Sequence, residues 1–189
     1  MYDIIVGVGH KPAPIPILEV NNMEALKVLK DRRSTRKFTN QPVSKEIIED
    51  IIDCGRLAPT ARNVQPWHFV IVANPERKQY IANITECGKF IAQAPVCILV
   101  FCDDTKYIVE DGSAATQNIL LAAKAYGLGS CWVAGHKKPY TDVVEKYMGA
   151  LDGVKLFSFI AIGYSDEQPT PKKKSLDEVL HWESFEDTI

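Results

Sequence analysis

The sequence is most informative in one stretch, APTARNVQPWHFVIV (residues 58–72). Its first half is bounded by two prolines and contains the amide side chains Asn63 and Gln65, a composition typical of a structured loop. Its second half, residues 67–72, is rich in aromatic and β-branched residues and ends at the turn signal Asn74-Pro75, so it predicts a strand. Amide groups placed directly before a strand can bind the polar edge of a planar ring, although an ordinary loop uses them to satisfy its own backbone.

Helical and strand patterns alternate on both sides of this stretch. Ser44 is a typical helix cap, and the four isoleucines at positions 47, 48, 51 and 52 share one helical face. Two later segments, 94–102 and 156–162, are nearly continuous apolar runs, which are typical of strands buried on both faces. The pattern therefore predicts a four-stranded sheet that helices cover on both sides. The other expected elements are a helix after Asn22, helices at 75–86, 111–126 and 140–147, and a short strand at 130–133.

Composition excludes several classes of function. The chain has 189 residues, 46% of them apolar, and a formal net charge of −2, so it can form a sizeable core and is not a general polyanion binder. Its longest apolar run has the length of a strand, so we expect no membrane association. The five cysteines lack a CxxC pair and the four histidines lack ligand spacing, so neither a disulfide framework nor a metal site is indicated. A reducing compartment, the cytoplasm, is the expected location.

The first 21 residues differ in character from the rest of the chain. They are rich in proline and glycine and lack a basic region followed by an apolar stretch, so we expect an irregular arm and no signal peptide. Gly7 and Gly9 could begin a dinucleotide-binding loop, but Pro12 stands where that motif needs its third glycine. We therefore predict no Rossmann fold and a single domain over residues 22–189.

Three further segments carry residue types that bind ligands. Residues 32–37, RRSTRK, combine four cations with two hydroxyls, which suits a phosphate, although such a run can also be a solvated surface. Ala134 and Gly135 follow a predicted strand, where small residues either admit a ligand close to the backbone or make a plain turn. The run Lys172–Lys174 opens the C-terminal tail, and such runs are most often solvated.

Four motifs gain meaning from their combined order and spacing. They are RRSTRKF at 32–38, APTARNVQPWHF at 58–69, QNILLAA with GLGS at 117–130, and IGY with LDEV at 162–179. This combination resembles the FMN-dependent nitroreductase family over residues 23 to about 183, and the first two motifs are the specific ones. The resemblance implies an α+β fold with a central, mostly antiparallel sheet flanked by helices. It also implies an intertwined homodimer with FMN in the subunit interface.

The resemblance further implies which residues hold the phosphate end and the charged edge of FMN. Arg32, Arg33 and Ser34 correspond to positions at the phosphate and the ribityl chain. Arg36 corresponds to the cation beside N1 and O2 of the isoalloxazine ring. A fixed cation there favours the reduced flavin, which carries negative charge near N1. The tail pair Lys173–Lys174 stands where the family usually has a phosphate-binding arginine, and a lysine still binds phosphate as a point charge.

The remaining implied contacts concern the flavin ring. Asn63 and Gln65 correspond to residues at the flavin edge, which are often contributed by the partner subunit. Ala134 and Gly135 correspond to backbone near N5 and the ring face. Because the flavin performs the chemistry, no catalytic side chain is expected.

The implied activity is the reduction of nitroaromatic, quinone or similar small acceptors with NADH or NADPH, by ping-pong hydride transfer through flavin N5. Two alternatives remain within reach of the same motifs: a flavin-fragmenting or dehalogenating relative, and an FMN-binding module without turnover. A steady-state assay with each nicotinamide separates the module from an enzyme. Nucleic-acid binding through residues 32–37 ranks last, because no aromatic platform accompanies those charges.

Overall fold

The computed structural model describes residues 25–185. Within that range the chain forms five α-helices and four β-strands. The predicted arm at 1–21 and the residues around Asn22 lie outside the described residues, so the domain boundaries remain predictions. In chain order the elements are α1 (Ala25–Asp31), α2 (Lys45–Arg56), β1 (Trp67–Val72), α3 (Pro75–Ile84), β2 (Val96–Asp103), α4 (Ile108–Ala125), β3 (Gly129–Ala134), α5 (Thr141–Met148) and β4 (Val154–Gly163), with 3₁₀ segments at Ala61–Asn63 and Lys89–Ala92.

The four strands form one sheet in the order β1-β2-β4-β3, and every neighbouring pair is antiparallel. β1 pairs with β2 from Trp67 opposite Cys102 to Val72 opposite Cys97. At the other edge β3 pairs with β4, and its last residue, Ala134, lies opposite Ser158. The antiparallel α+β architecture confirms the predicted fold class, whereas a Rossmann fold would require parallel strands.

Two hydrophobic cores, one on each face of the sheet, enclose the central strands. On one face α2 and α4 contribute Ile51 and Ile119 to a core that contains Ile98. On the other face α5 contributes Val144 to a core that contains Leu99. Successive strand residues point to opposite faces, which is why β2 is apolar without interruption. The predicted two-sided cover of the sheet is confirmed.

β2 begins two residues later than the apolar run predicted. Ala94 is fully buried, but its N–H donates to the carbonyl of Phe90 (3.3 Å) and its carbonyl accepts from Lys78 Nζ (2.5 Å). Pro95 has no N–H to donate to a ladder. The hydrophobicity of this segment therefore reflects burial, while its backbone bonds lie outside the sheet.

The long helix α4 lies against both the sheet and α2. It packs closely on α2, since a Cβ added to Gly55 would lie 2.7 Å from Ile119 Cγ1. It begins at Ile108, three residues before the predicted start, so that Asp111 lies in its first turn, where the helix dipole favours a carboxylate. It ends before Gly127, whose φ of 73° is left-handed. No helix within residues 25–185 is long and apolar enough to cross a membrane.

Candidate functional site

Residues 32–39, here called the cationic loop, run along the start of β3. Ser34 forms a parallel bridge with Ser130, and the Thr35 N–H donates to the Ser130 carbonyl over 2.9 Å. A Cβ added to Gly129 would lie 2.8 Å from Thr35 Cγ2, so a side chain at this position would push the loop away. The motif of cations and hydroxyls is therefore held against the edge of the sheet, in contrast to a freely solvated run.

The segment after β4 holds the cationic loop from the other side. Ser165 Oγ donates to the Lys37 carbonyl (2.6 Å), and the Thr39 N–H donates to the Tyr164 carbonyl (2.9 Å). One carboxylate oxygen of Glu167 accepts the N–H of Arg36 at 2.7 Å and that of Lys37 at 3.3 Å. Glu167 was not among the predicted site residues, because a lone carboxylate in a polar tail has no local signature.

Two cavities follow one another along the loop and β3. Both are open to solvent, and the empty space within them is about 540 Å³ in the first and about 500 Å³ in the second. The loop residues Arg32, Arg33 and Thr35 border the first cavity together with residues 129–130. The next residues of each segment, Arg36 and Cys131, border the second. The first cavity also contains Lys124, and the second also contains Phe90, Trp132, Ala134 and Tyr140.

The chemistry of the two cavities differs. Three cations border the first, Arg32, Arg33 and Lys124, and they suit a phosphate, although the carboxylates of Asp31 and Glu167 border the same cavity. The second combines aromatic walls with the guanidinium of Arg36, which lies 5.9 Å from the centre of the Phe90 ring. The residues present therefore fit an elongated molecule with a phosphate at one end and a planar ring at the other. Lys124 is a further site candidate that no sequence motif indicated, since it lies within the apolar-patterned helix α4.

Local hydrogen bonds and charge refine two of these positions. The Arg33 guanidinium donates to the carbonyls of Lys30 (2.7 Å) and Arg32 (2.8 Å), so it caps the C-terminal end of α1. Burial raises the pKa of the Cys131 thiol, while the nearby charge of Arg36 acts in the opposite direction. Cys131 is 2% exposed and lies within β3.

The end of β3 is fixed by backbone contacts. Tyr140 donates its hydroxyl to the Ala134 carbonyl (2.7 Å), and the Gly135 N–H donates to the Phe157 carbonyl (2.9 Å). A Cβ added to Gly135 would lie 2.8 Å from Leu156 Cγ, so the close approach requires glycine. The next residue, His136, has a buried Nε2 without a hydrogen-bond partner among the residues that the structure describes. An ordered water, a bound molecule or a second chain could satisfy it.

Residues 60–65, here called the amide loop, lie apart from the two cavities. Arg62, Asn63 and Gln65 all have left-handed φ values of 55–56°, which L residues rarely adopt. The loop is held by Thr60 Oγ1, which accepts the Gln65 N–H (3.2 Å), and by buried Asp111, whose carboxylate accepts the Ala61 N–H at 3.0 Å. The side chains of Asn63 and Gln65 are exposed.

The structure thus brings together some of the predicted site residues and leaves others apart. Six of them follow the cationic loop and β3: Arg32, Arg33, Ser34, Arg36, Ala134 and Gly135. Asn63 and Gln65 line neither of the two cavities. Lys173 and Lys174 are exposed in the tail and also line neither cavity, although residues 168–171 of the same tail lie beside Arg33 and Lys124.

Comparison with known proteins identifies the family. The model of the nitroreductase family matches residues 29–95 and 85–164. A protein of Methanothermobacter thermautotrophicus, provisionally named an NADH dehydrogenase/NAD(P)H nitroreductase, is 35% identical over 175 residues, which cover 88% of this chain and 91% of the relative. An FMN reductase [NAD(P)H] of Bacillus subtilis is 37% identical over 192 residues, covering 86% and 74%. The chain belongs to the nitroreductase family.

Solved structures agree with this assignment. A protein of Parabacteroides distasonis, also provisionally named an NADH dehydrogenase/NAD(P)H nitroreductase, superposes with a TM-score of 0.81 at 30% identity over 86% of this chain and 99% of that one. A nitroreductase-like protein of Desulfovibrio desulfuricans in complex with FMN gives a TM-score of 0.75 at 30% identity over 86% and 98%. The rat iodotyrosine deiodinase 1 is 32% identical over 211 residues, covering 91% of this chain and 74% of the deiodinase.

Proposed function

We propose that this chain is an FMN-dependent NAD(P)H oxidoreductase that reduces nitroaromatic, quinone or similar small acceptors. The observation that carries the proposal is the pair of consecutive cavities along β3, cationic at one end and aromatic at the other. Membership of the nitroreductase family and the names of relatives, which mention FMN and NAD(P)H, support it.

In this proposal the first cavity holds the FMN phosphate. Arg32 and Lys124 would supply charge, and Arg33 would shape the site by capping α1. Ser34, which bridges to Ser130 at the border of this cavity, would supply a hydroxyl at the ribityl chain. The tail pair Lys173–Lys174 would approach from the segment that already lies beside Lys124. A site with one cluster of cations and no pyrophosphate loop favours FMN over FAD.

The second cavity holds the isoalloxazine ring. Arg36 places positive charge beside N1 and O2, and the backbone at Ala134 and Gly135 borders the ring near N5. FMN bound there would supply the hydride chemistry between NADH or NADPH and the acceptor, in alternating half-reactions. The role of the chain is to bind and orient the ring, to fix its charge and to leave one face open for each substrate in turn.

We further propose a homodimer whose partner completes the site. Asn63 and Gln65 project from a rigid loop that lines neither cavity of its own chain, as expected of groups that serve a second subunit. An open apolar groove on α1 and α4 gives the partner a surface to cover. It is lined by Ala25, Val28, Leu29, Cys54, Leu121 and Ala122. The tail adds exposed apolar side chains, among them Leu176, Trp182 and Phe185.

The cofactor is identified by purification. We expect a yellow protein that releases FMN on heating, as resolved by chromatography, and whose absorbance bleaches on anaerobic titration with NADH or NADPH. Recovery of FAD, or failure to bind FMN on reconstitution, would contradict the proposal. A protein that binds FMN without turning over any acceptor would instead be the binding module without activity. The cytoplasm remains the proposed location, and the five cysteines, all within the described residues and all free, are consistent with it.

Reductive dehalogenation is a second candidate, favoured by the similarity to the rat deiodinase. Against it, dehalogenating relatives generally carry an added lid or insert. In the described range the longest connection between elements is residues 32–44, which form the cationic loop and its approach to α2, so that range contains no such insert. Parallel assays with a nitroaromatic and with iodotyrosine, both with chemically reduced enzyme, distinguish the two activities.

A further inference from the structure

We propose that Glu167 is a positioning residue that fixes Arg36 at the flavin ring and joins the two cation-bearing segments of the site. This inference deepens the proposed function and rests on it. Glu167 accepts the backbone N–H groups of Arg36 and of Lys37, its neighbour, with a single carboxylate oxygen.

The need for such an acceptor follows from the path of the loop. Arg36 and Lys37 lie in neither a helix nor a strand, and the nearest backbone–backbone bonds on either side of them are donated by Thr35 and Thr39. Between those two anchors the N–H groups of Arg36 and Lys37 point to the Glu167 carboxylate. Hydrogen bonds to a charged acceptor are about twice as strong as neutral ones, so this contact fixes the backbone from which the Arg36 side chain extends.

The same contact ties down the tail. Ser165 Oγ donates to the Lys37 carbonyl (2.6 Å) and accepts the N–H of Glu167 (3.0 Å), so residues 165–167 and the cationic loop share one hydrogen-bonded network. Lys173–Lys174 follow Glu167 by six and seven positions in the chain. Glu167 therefore couples the placement of the ring cation to that of Gln168 and Pro169, which follow it in the tail and border the first cavity.

The charge of Glu167 must be separated from its role as an acceptor. Removing a negative charge near the ring by itself raises the flavin midpoint potential, because the reduced form is anionic. Releasing Arg36 lowers that potential. Glu167→Gln removes the charge and keeps an amide oxygen that can accept both N–H groups, whereas Glu167→Ala removes both. The informative quantity is the difference between these two variants, in which the charge term cancels.

The experiment combines two readouts. In the cofactor-free protein, amide hydrogen exchange of Arg36 and Lys37 should be about tenfold faster in Glu167→Ala than in Glu167→Gln. In the flavin-loaded protein, Glu167→Ala should bind FMN about tenfold more weakly and have a midpoint potential about 30 mV lower than Glu167→Gln, which is a tenfold change in the two-electron couple.

Glu178 provides the matched control. Its carboxylate also accepts a backbone N–H in the same tail, that of Ser175 at 2.7 Å, but away from the loop. Glu178→Ala should leave the exchange at Arg36 and the potential unchanged. Equal exchange and equal potential in the two Glu167 variants would overturn the inference, as would faster exchange with an unchanged potential. If the unmodified protein binds no FMN, the proposed function itself fails, and with it the positioning role.

Discussion

The cationic loop and the amide loop are held in opposite ways. The cationic loop is bonded on both sides by its own chain, to Ser130 of β3 and to residues 164–167 after β4. The amide loop is anchored at its base, by Asp111 and by its own Thr60, while its tip has three left-handed residues and exposed side chains. Only the first loop borders the cavities that we assign to FMN.

In the proposed homodimer, this difference would divide the site between two copies of the chain. A rare backbone conformation persists only where its surroundings fix it, and such strain concentrates at functional sites. The amide loop is held at its base, while the side chains at its tip, Asn63 and Gln65, are exposed. Such an arrangement suits side chains that contact a second subunit. Substitutions in the two loops and in the surfaces beside them can test this division.

The largest effect is expected from a charge in the apolar groove. Leu29 is 52% exposed and lines the groove on α1 and α4. Leu29→Glu should dissociate the dimer and weaken FMN binding at least tenfold, because burying an unpaired carboxylate in an interface costs several kcal/mol. Sedimentation at micromolar concentration measures the mass. Val143→Glu, at a position 47% exposed on α5, is the matched control and should remain dimeric. A dimeric Leu29→Glu protein with normal FMN affinity would show that this groove is not the interface.

The anchor of the amide loop should be the next most sensitive position. Asp111→Ala leaves the Ala61 N–H without its acceptor, so the free energy of unfolding should fall by about 1–3 kcal/mol. Urea denaturation measures this change, and Asp111→Asn, which retains an acceptor oxygen, should recover most of it. FMN affinity should fall while amide exchange in the cationic loop stays normal. An unchanged FMN affinity would argue against a role of the amide loop at the flavin.

Within the cationic loop, Arg36 and Arg32 should behave differently. Arg36→Ala should retain FMN but lose the charge beside N1, an ion contact worth about 1.5–3 kcal/mol. The midpoint potential should then fall by a few tens of millivolts, since about 1.4 kcal/mol corresponds to about 30 mV for two electrons. Arg32→Ala should weaken FMN affinity with a smaller effect on the potential. Potentiometry and FMN titration of both variants measure the contrast, and a wild-type potential in Arg36→Ala would show that its placement is wrong.

The smallest effect concerns β2. This strand lies between β1, which follows the amide loop in the chain, and β4, which precedes the tail. Burial raises the pKa of Cys97 and Cys102 from 9.0 to about 12. Above pH 9 the unfolded chain releases thiol protons that the folded chain keeps, so stability is lost as the pH rises toward 12. Each thiol should contribute a loss of about 1 kcal/mol between pH 8 and pH 10.

Denaturation of Cys97→Ala at both pH values tests this contribution. The cavity left by the substitution lowers stability equally at each pH, so it cancels in the difference. The loss between pH 8 and pH 10 should be smaller than in the unmodified protein by about 1 kcal/mol. An identical loss in the two proteins would mean that this thiol does not drive the alkaline instability.

The local elements of the fold could be predicted from the sequence alone. The strand Trp67–Val72 and the helix after Ser44 were predicted correctly, and the apolar runs of β2 and β4 predicted a sheet covered on both faces. Each of these features depends on neighbouring residues: a cap side chain, a periodicity, an apolar run. The cluster of residues 32–37 is equally local: its composition suits a phosphate, and its phosphate-binding role stays a prediction.

Only the tertiary structure decided which distant residues complete the site. Glu167 meets Arg36 across 131 positions, and Asp111 meets Ala61 across 50. A single carboxylate carries no periodic signal, so its partner depends on how strands and helices pack. The arrangement β1-β2-β4-β3 brings the segment after β4 beside the cationic loop, and α4 brings Lys124 to the same cavity. Local interactions determined the elements, whereas the site arises from long-range packing that no short stretch of the sequence encodes.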